Sequence, residues 1–170
     1  MKKPKYPNRK SIRLERYDYA SQGWYFVTIN AVKWKHIFGK ITGGKMHPTT
    51  LGEIIEEEWL ASAEIRKNIK LHSYVVMPNH FHAIVEICYS LNKENVPGEF
   101  IAPKHTLSAV MRGFKGAVTR KYKSLELGNE KTVWHGKFND HIIRNEKSFL
   151  YHTNYIKNNV KDWEEKRGGT

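Results

Sequence analysis

The chain reads as a small antiparallel α+β domain, a ferredoxin-like variant in which helices cover a sheet, and three observations predict it. Segments rich in aromatic and β-branched residues alternate with segments whose apolar residues recur at helical spacing. Their order is strand, strand, helix, strand, strand, helix, strand, helix, which favours a packed α+β sandwich. The length of 170 residues suits one compact domain and is too short for two full ones.

Residues 1–20 form a basic arm ahead of a domain over 21–170. Lys2, Lys3, Lys5, Arg9, Lys10, Arg13 and Arg16 stand against Glu15 alone, half of the net charge of +12. Such an arm lies on a phosphate backbone or stays mobile in solvent. From Trp24, WYFVTINAV and KHIFGKI read as two antiparallel strands of an opening hairpin. Gly43, Gly44 and Pro48 break the pattern. Thr49 or Thr50 then caps a helix to about Lys70 with Leu51, Ile54, Ile55, Trp59 and Leu60 on one face. Its outer glutamates, Glu53 and Glu56 to Glu58, suit solvent and the helix dipole better than catalysis. LHSYVVM and HFHAIVEIC form a second strand pair reversing at Pro78-Asn79, and a polar loop runs from Tyr89 to about Pro103. A basic helix over about 106–123 places Leu107, Val110, Met111, Phe114 and Val118 inward. VWHGKFNDHIIR is a short strand pair or extended loop, and NEKSFLYHTNYIKNNVKDW is a last helix with Phe149, Leu150, Thr153, Ile156 and Val160 toward the interior.

Five Trp, nine Tyr and seven Phe in a chain that is 39% hydrophobic mark a folded globular protein, not a disordered basic tail. The excess of 29 basic over 17 acidic residues points to a polyanionic partner without saying which. The single cysteine, Cys88, excludes an internal disulfide and fits a reducing compartment. No apolar run approaches the roughly 18 residues of a membrane span, and the basic start has no apolar stretch behind it. A cytoplasmic protein without membrane contact is the expectation.

Three groups of residues could carry chemistry. In His80-Phe81-His82 the two-residue period of a strand sends both imidazoles to one face, with Phe81, Ala83, Val85 and Ile87 on the other. Two histidines side by side can share a cation, but a metal site needs a further ligand, and packing explains many such pairs. Tyr155 and Asn159, four apart on the last helix, share a helix face; a packed tyrosine beside a surface asparagine would look the same. Arg112, Lys115 and Arg120 give the basic helix the composition of a phosphate-contacting face or of a merely solvated one.

YVVMPNHFHAIVEI, LSAVMRGFKGAVTRKY and VWHGKFNDHIIRNEKSFLYHTNYIKNN together resemble, in order, the three signature blocks of single-tyrosine HUH transposases, and among them the REP-associated branch. The resemblance runs from about Trp24 to Trp163. It implies an antiparallel sheet with helices, His80 and His82 as metal ligands, Asn159 as third protein ligand, Tyr155 as nucleophile, and Mg²⁺ or Mn²⁺ as the metal. It further implies cleavage of single-stranded, hairpin-forming DNA through a 5′-phosphotyrosine, and it leaves both a monomer and a homodimer open. One departure is Asn158-Asn159-Val160, where many REP-associated members carry proline after the paired asparagines. Trp24, Tyr25 and Trp134 are candidates for base stacking, and His135, His141 and His152 receive no role. The rivals are a domesticated DNA-binding protein of the same fold that no longer cuts, a replication initiator or relaxase, and a water-using phosphodiesterase that would not need Tyr155.

Overall fold

The computed structural model describes residues 18–91 and 105–168, with side chains to residue 165. Most of the basic arm, most of the polar loop and the last two residues lie outside them. Of the arm's last residues, Tyr19 and Ala20 already pack with the domain: Ala20 is buried, and the Leu107 amide donates to the Tyr19 carbonyl at 3.0 Å.

Four strands form one sheet in the order β4 (Ile69–Met77), β5 (His80–Ile87), β1 (Gly23–Asn30), β6 (Asn139–Ile143), every pair antiparallel. Helix α1 (Thr50–Ile65) connects β1 to β4 and α2 (Leu107–Ser124) connects β5 to β6, giving the split βαββαβ order of a ferredoxin-like fold. The period of two explains why β1 can be central. Tyr25, Val27 and Ile29 are fully buried on one face, and Trp24, Phe26, Thr28 and Asn30 occupy the other.

The first face meets α1 and α2 in the main core. Trp59 of α1 lies 5.2 Å, ring to ring, from both Phe81 of β5 and Phe114 of α2, in edge-to-face contacts that favour the aromatic quadrupoles. Thr49 caps α1 by accepting from the Gly52 amide at 3.2 Å, and Thr106 caps α2 by accepting from Ala109 at 3.2 Å. The outer glutamates of α1 are used: the Lys121 ammonium lies 2.9 Å from Glu58 and 3.1 Å from Glu57, tying α2 to α1. Among the described residues the second face meets α3 (Glu146–Gly168), through a small cluster of Ile84, Ile143 and Ile156 with Trp24, Phe26, Val75 and Phe149 around it.

Three expectations differ from what is observed. The opening hairpin does not exist, because β1 is bonded on its two edges by β5 and β6. Instead β2 (Gly39–Thr42) pairs with β3 (Lys45–Pro48), and Gly43 and Gly44, at φ 60° and 69°, are the two-residue turn that a right-twisted hairpin prefers. Helix α1 stops at Ile65, not near Lys70, because Ile69 must already begin β4. In α3, Leu150 is 59% exposed, and the sheet is met instead through Phe149, His152 and Ile156.

Gly52 separates local propensity from packing. Alanine is the better helix former by about 1 kcal/mol. A Cβ at Gly52 would, however, stand 2.1 Å from the Phe38 carbonyl oxygen and 3.0 Å from Pro48 Cβ, a collision with backbone that no side-chain rotation relieves. Gly52→Ala is therefore expected to lower unfolding stability by about 1–3 kcal/mol in urea titration; a gain in stability would show that this close approach is not present in solution.

Candidate active site

The polar residues of the chain's own motifs gather on the α3 face of the sheet. The register puts His80 opposite Asn30 and His82 opposite Thr28. Both imidazoles thus share the face of Ile84, while Phe81, Ala83, Val85 and Ile87 enter the main core, as the strand period requires. The turn at Pro78-Asn79 fixes the end of the row: Phe38 N–H donates to the Pro78 carbonyl and Ala31 N–H to that of Asn79.

Helix α3 lies along this row and contributes one side chain at each turn. Phe149 meets Trp24, with ring centroids 5.1 Å apart, and His152 meets Phe26 at 4.6 Å. Tyr155 sets its edge to His82 at 5.4 Å and to Phe26 at 6.0 Å; Asn159 hydrogen-bonds His80; Trp163 covers His80 at 5.6 Å. The steps of three and four residues are those of one helix face. Valine at 160 lets the helix continue, whereas a proline there would remove a backbone donor and crowd the preceding turn. The continued helix delivers Trp163 to His80 and Glu164 to the hairpin tip, where its carboxylate accepts from the Gly44 amide.

Each imidazole is oriented by a neighbour. His80 Nδ1 lies 2.7 Å from Asn79 Oδ1, an acceptor, which assigns the proton to Nδ1 and the lone pair to Nε2. His82 Nδ1 lies 2.8 Å from Thr28 Oγ1, its ring stacks on Phe26 at 5.2 Å, and it also hydrogen-bonds the Val27 backbone. The ring centroids of His80 and His82 are 4.5 Å apart. Burial pushes His80 down to about 4, partly opposed by the Asn159 hydrogen bond, and pushes His82 down to about 3, with His80 adding to the effect. Both rings are neutral at neutral pH, the state in which imidazole binds a metal.

This donor set fits a divalent ion. Two oriented imidazoles and the buried amide of Asn159 converge, and neighbours on the sheet engage Nδ1 of each ring, the outer-shell arrangement common to metal-ligating histidines. Among the described residues no group of three or more His, Cys, Asp and Glu could hold a metal, so a metal at His80 and His82 would need a donor of another kind, and the Asn159 amide beside His80 is one that could serve. Tyr155 is 39% exposed beside His82, and its ring is in edge contact with both His82 and Phe26.

The basic residues of α2 are elsewhere. Helix α2 packs on the opposite face, and Arg112 and Arg120 are exposed there, separated from Tyr155 by the sheet. Lys115 is half-buried, its ammonium donating to the carbonyls of His135 at 3.1 Å and Gly136 at 3.0 Å, and burial lowers its pKa. It braces the segment that pairs with the end of β1, where Ala31 bridges Trp134. Of the stacking candidates, Tyr25 and Trp134 are core residues and Trp24 packs on Phe149; Trp34, which was not among them, is 57% exposed. His152 and His141, 4.9 Å apart, also went unassigned. An open cleft of about 670 Å³ lined by Thr49, Leu51, Tyr122 and Glu130 lies away from all four motif residues.

The depressed histidines give a pH signature. Their folded values lie below the ordinary 6.5, so the unfolded chain takes up protons first as pH falls. The stability that depends on the neutral pair is complete above 6.5 and is lost progressively toward about 4. The metal-free protein should lose melting temperature over this interval more steeply than a His80→Gln, His82→Gln double variant; equal slopes would contradict the burial of the two rings.

No family model matches the sequence. The chain is 34% identical over 167 residues to a Haemophilus influenzae protein described only as uncharacterized, covering 93% of this chain and 91% of that protein. Among solved structures, it is similar to a REP-associated tyrosine transposase bound to a REP hairpin, with a TM-score of 0.61 and 22% identity over 88% of this chain and 73% of the other. The chain thus belongs to one family with the Haemophilus influenzae protein and has the antiparallel α+β fold of the REP-associated tyrosine transposase.

Proposed function

We propose that the protein is a transposase that cuts and rejoins single-stranded, hairpin-forming DNA with Tyr155 as nucleophile, at a divalent-metal site formed by His80, His82 and Asn159. The observation that carries this reading is the meeting of one stretch of α3 with one strand: Asn159 hydrogen-bonds His80, and Tyr155, 39% exposed, stands against His82. A binding module would gain nothing from burying two neutral imidazoles and an amide around one point. The likeness to a transposase structure bound to a REP hairpin supports the choice of substrate.

The phenol oxygen of Tyr155 attacks the scissile phosphorus, the bond from phosphorus to the 3′ oxygen breaks, and the strand is left as a 5′-phosphotyrosine with a free 3′ hydroxyl. The phenol's proton leaves to an acceptor or solvent and the departing oxygen gains one, so the step is balanced and reversible without a nucleotide cofactor. Mg²⁺ or Mn²⁺ held there would neutralise charge on the phosphate, and the two nitrogen donors favour Mn²⁺. Phe26, flanked by His82, His152 and Tyr155, fixes the angle at which the phenol is presented. All four residues come from one chain, so this reading requires no partner copy. Arg112 and Arg120 are open to phosphates of DNA held on the outer face, and Lys115 acts by bracing the His135–Gly136 segment.

The test is incubation with labelled single-stranded hairpins drawn from repeats flanking the protein's own gene, with Mn²⁺ or EDTA, followed by a denaturing gel. A metal-dependent protein–DNA adduct is expected, absent from Tyr155→Phe although that variant binds the hairpins nearly as well. Tight binding with no adduct would replace this reading by the non-cutting DNA-binding protein. His82→Ala should raise the Mn²⁺ concentration needed for half-maximal cutting by at least about tenfold; unchanged metal dependence would remove His82 from the site.

A further inference from the structure

Trp34 is the one tryptophan whose side chain is turned to solvent, at 57% exposure, and its backbone is held in an unfavourable form. Lys33 and Trp34 have φ of 52° and 53°, two consecutive non-glycine residues in the left-handed region, in a turn closed by Trp34 N–H to the Ala31 carbonyl at 3.0 Å and Lys35 N–H to that of Val32 at 3.1 Å. A bulky side chain pays for this conformation sterically, and here burial returns little, so the strain serves to hold the indole outward. The indole is not loose: the His135 ring lies 4.7 Å behind it, on the segment that Lys115 braces.

The position of this surface ties it to the candidate site. The Trp34 carbonyl accepts from the Asn79 side-chain amide at 3.5 Å, and the same side chain accepts from His80 Nδ1 at 2.7 Å, so two consecutive contacts link the Trp34 backbone to a metal-site imidazole. Lys33 and Lys137 are exposed and close in sequence, one adjacent to Trp34 and one two residues beyond His135, and the Lys33 charge also acts on Glu130. A flat, rigid aromatic face has the chemistry to receive an unpaired nucleobase. Duplex DNA, whose bases are already stacked on each other, has no face to offer it.

We propose that Trp34, backed by His135, is a stacking platform for an unpaired base of the DNA strand whose phosphate reaches Tyr155, an inference that rests on the single-strand reading above. Binding is measured by fluorescence anisotropy in EDTA, where no cutting occurs, with two labelled probes: a flanking-repeat hairpin carrying its single-stranded tail, and the same hairpin without the tail. Trp34→Ala should weaken binding of the tailed probe about tenfold, leave the tail-less probe unchanged, and keep the slope of affinity against salt, because no phosphate contact is lost. Trp34→Phe should restore most of the loss. Equal affinity of Trp34→Ala and the unaltered protein for the tailed probe, or an equal loss on both probes, overturns the platform while the adduct assay still stands. If the unaltered protein binds neither probe, the single-strand reading fails and the platform with it.

Discussion

The arrangement depends on the packing of α3 against the one sheet face that α1 and α2 leave open. That contact has a small apolar core, Ile84, Ile143 and Ile156, far smaller than the cluster on the other side. Much of what the helix presses onto the sheet is aromatic or polar: Phe149, His152, Tyr155, Asn159 and Trp163 in successive turns. The domain can carry such a face because its stability comes from elsewhere. Trp59, Phe81 and Phe114 lock α1, β5 and α2 together on the far side, so the face bearing the histidines is free to hold groups chosen for chemistry.

Burying polar groups carries a cost unless each is satisfied. His82 is met by Thr28 and the Val27 backbone, His80 by Asn79 and Asn159, and each partner comes from an element whose position is already fixed by sheet pairing or helix packing. Burial then acts on the acid–base chemistry: rings that must stay neutral to remain buried are also rings with a lone pair to donate. Asn79 extends the same economy outward, since its side chain joins His80 to the turn that presents Trp34.

Much of this was legible from residue order alone. The alternation in HFHAIVEI required the two imidazoles to share a face, and Thr49 was visible as one of two candidate caps ahead of apolar helical spacing. Tyr155 and Asn159 could be placed on one helix face, but only the resemblance to a family joined that face to the strand, because contact between residues 73 or more positions apart leaves no trace in local pattern. The opening hairpin was misread because adjacency in sequence was taken for pairing, whereas β1 finds its neighbours in β5 and β6. Leu150 was placed inward by hydrophobicity, yet the helix face turned to the sheet buries Asn159 and leaves Leu150 in water. Lys115 looked like any other lysine of a basic helix; only the carbonyls of His135 and Gly136 give it a structural task.

The proposed metal site joins α3 to β5, and direct Mn²⁺ binding to the DNA-free protein tests it most closely. Free Mn²⁺ can be followed by its paramagnetic resonance signal as protein is added, for the unaltered chain and for Asn159→Ala and Tyr155→Phe. Saturable binding is expected, weakened by about tenfold or more in Asn159→Ala and retained in Tyr155→Phe. Binding of equal strength in Asn159→Ala would mean that the helix contributes no ligand, and the convergence of α3 on His80 and His82 would then be packing alone.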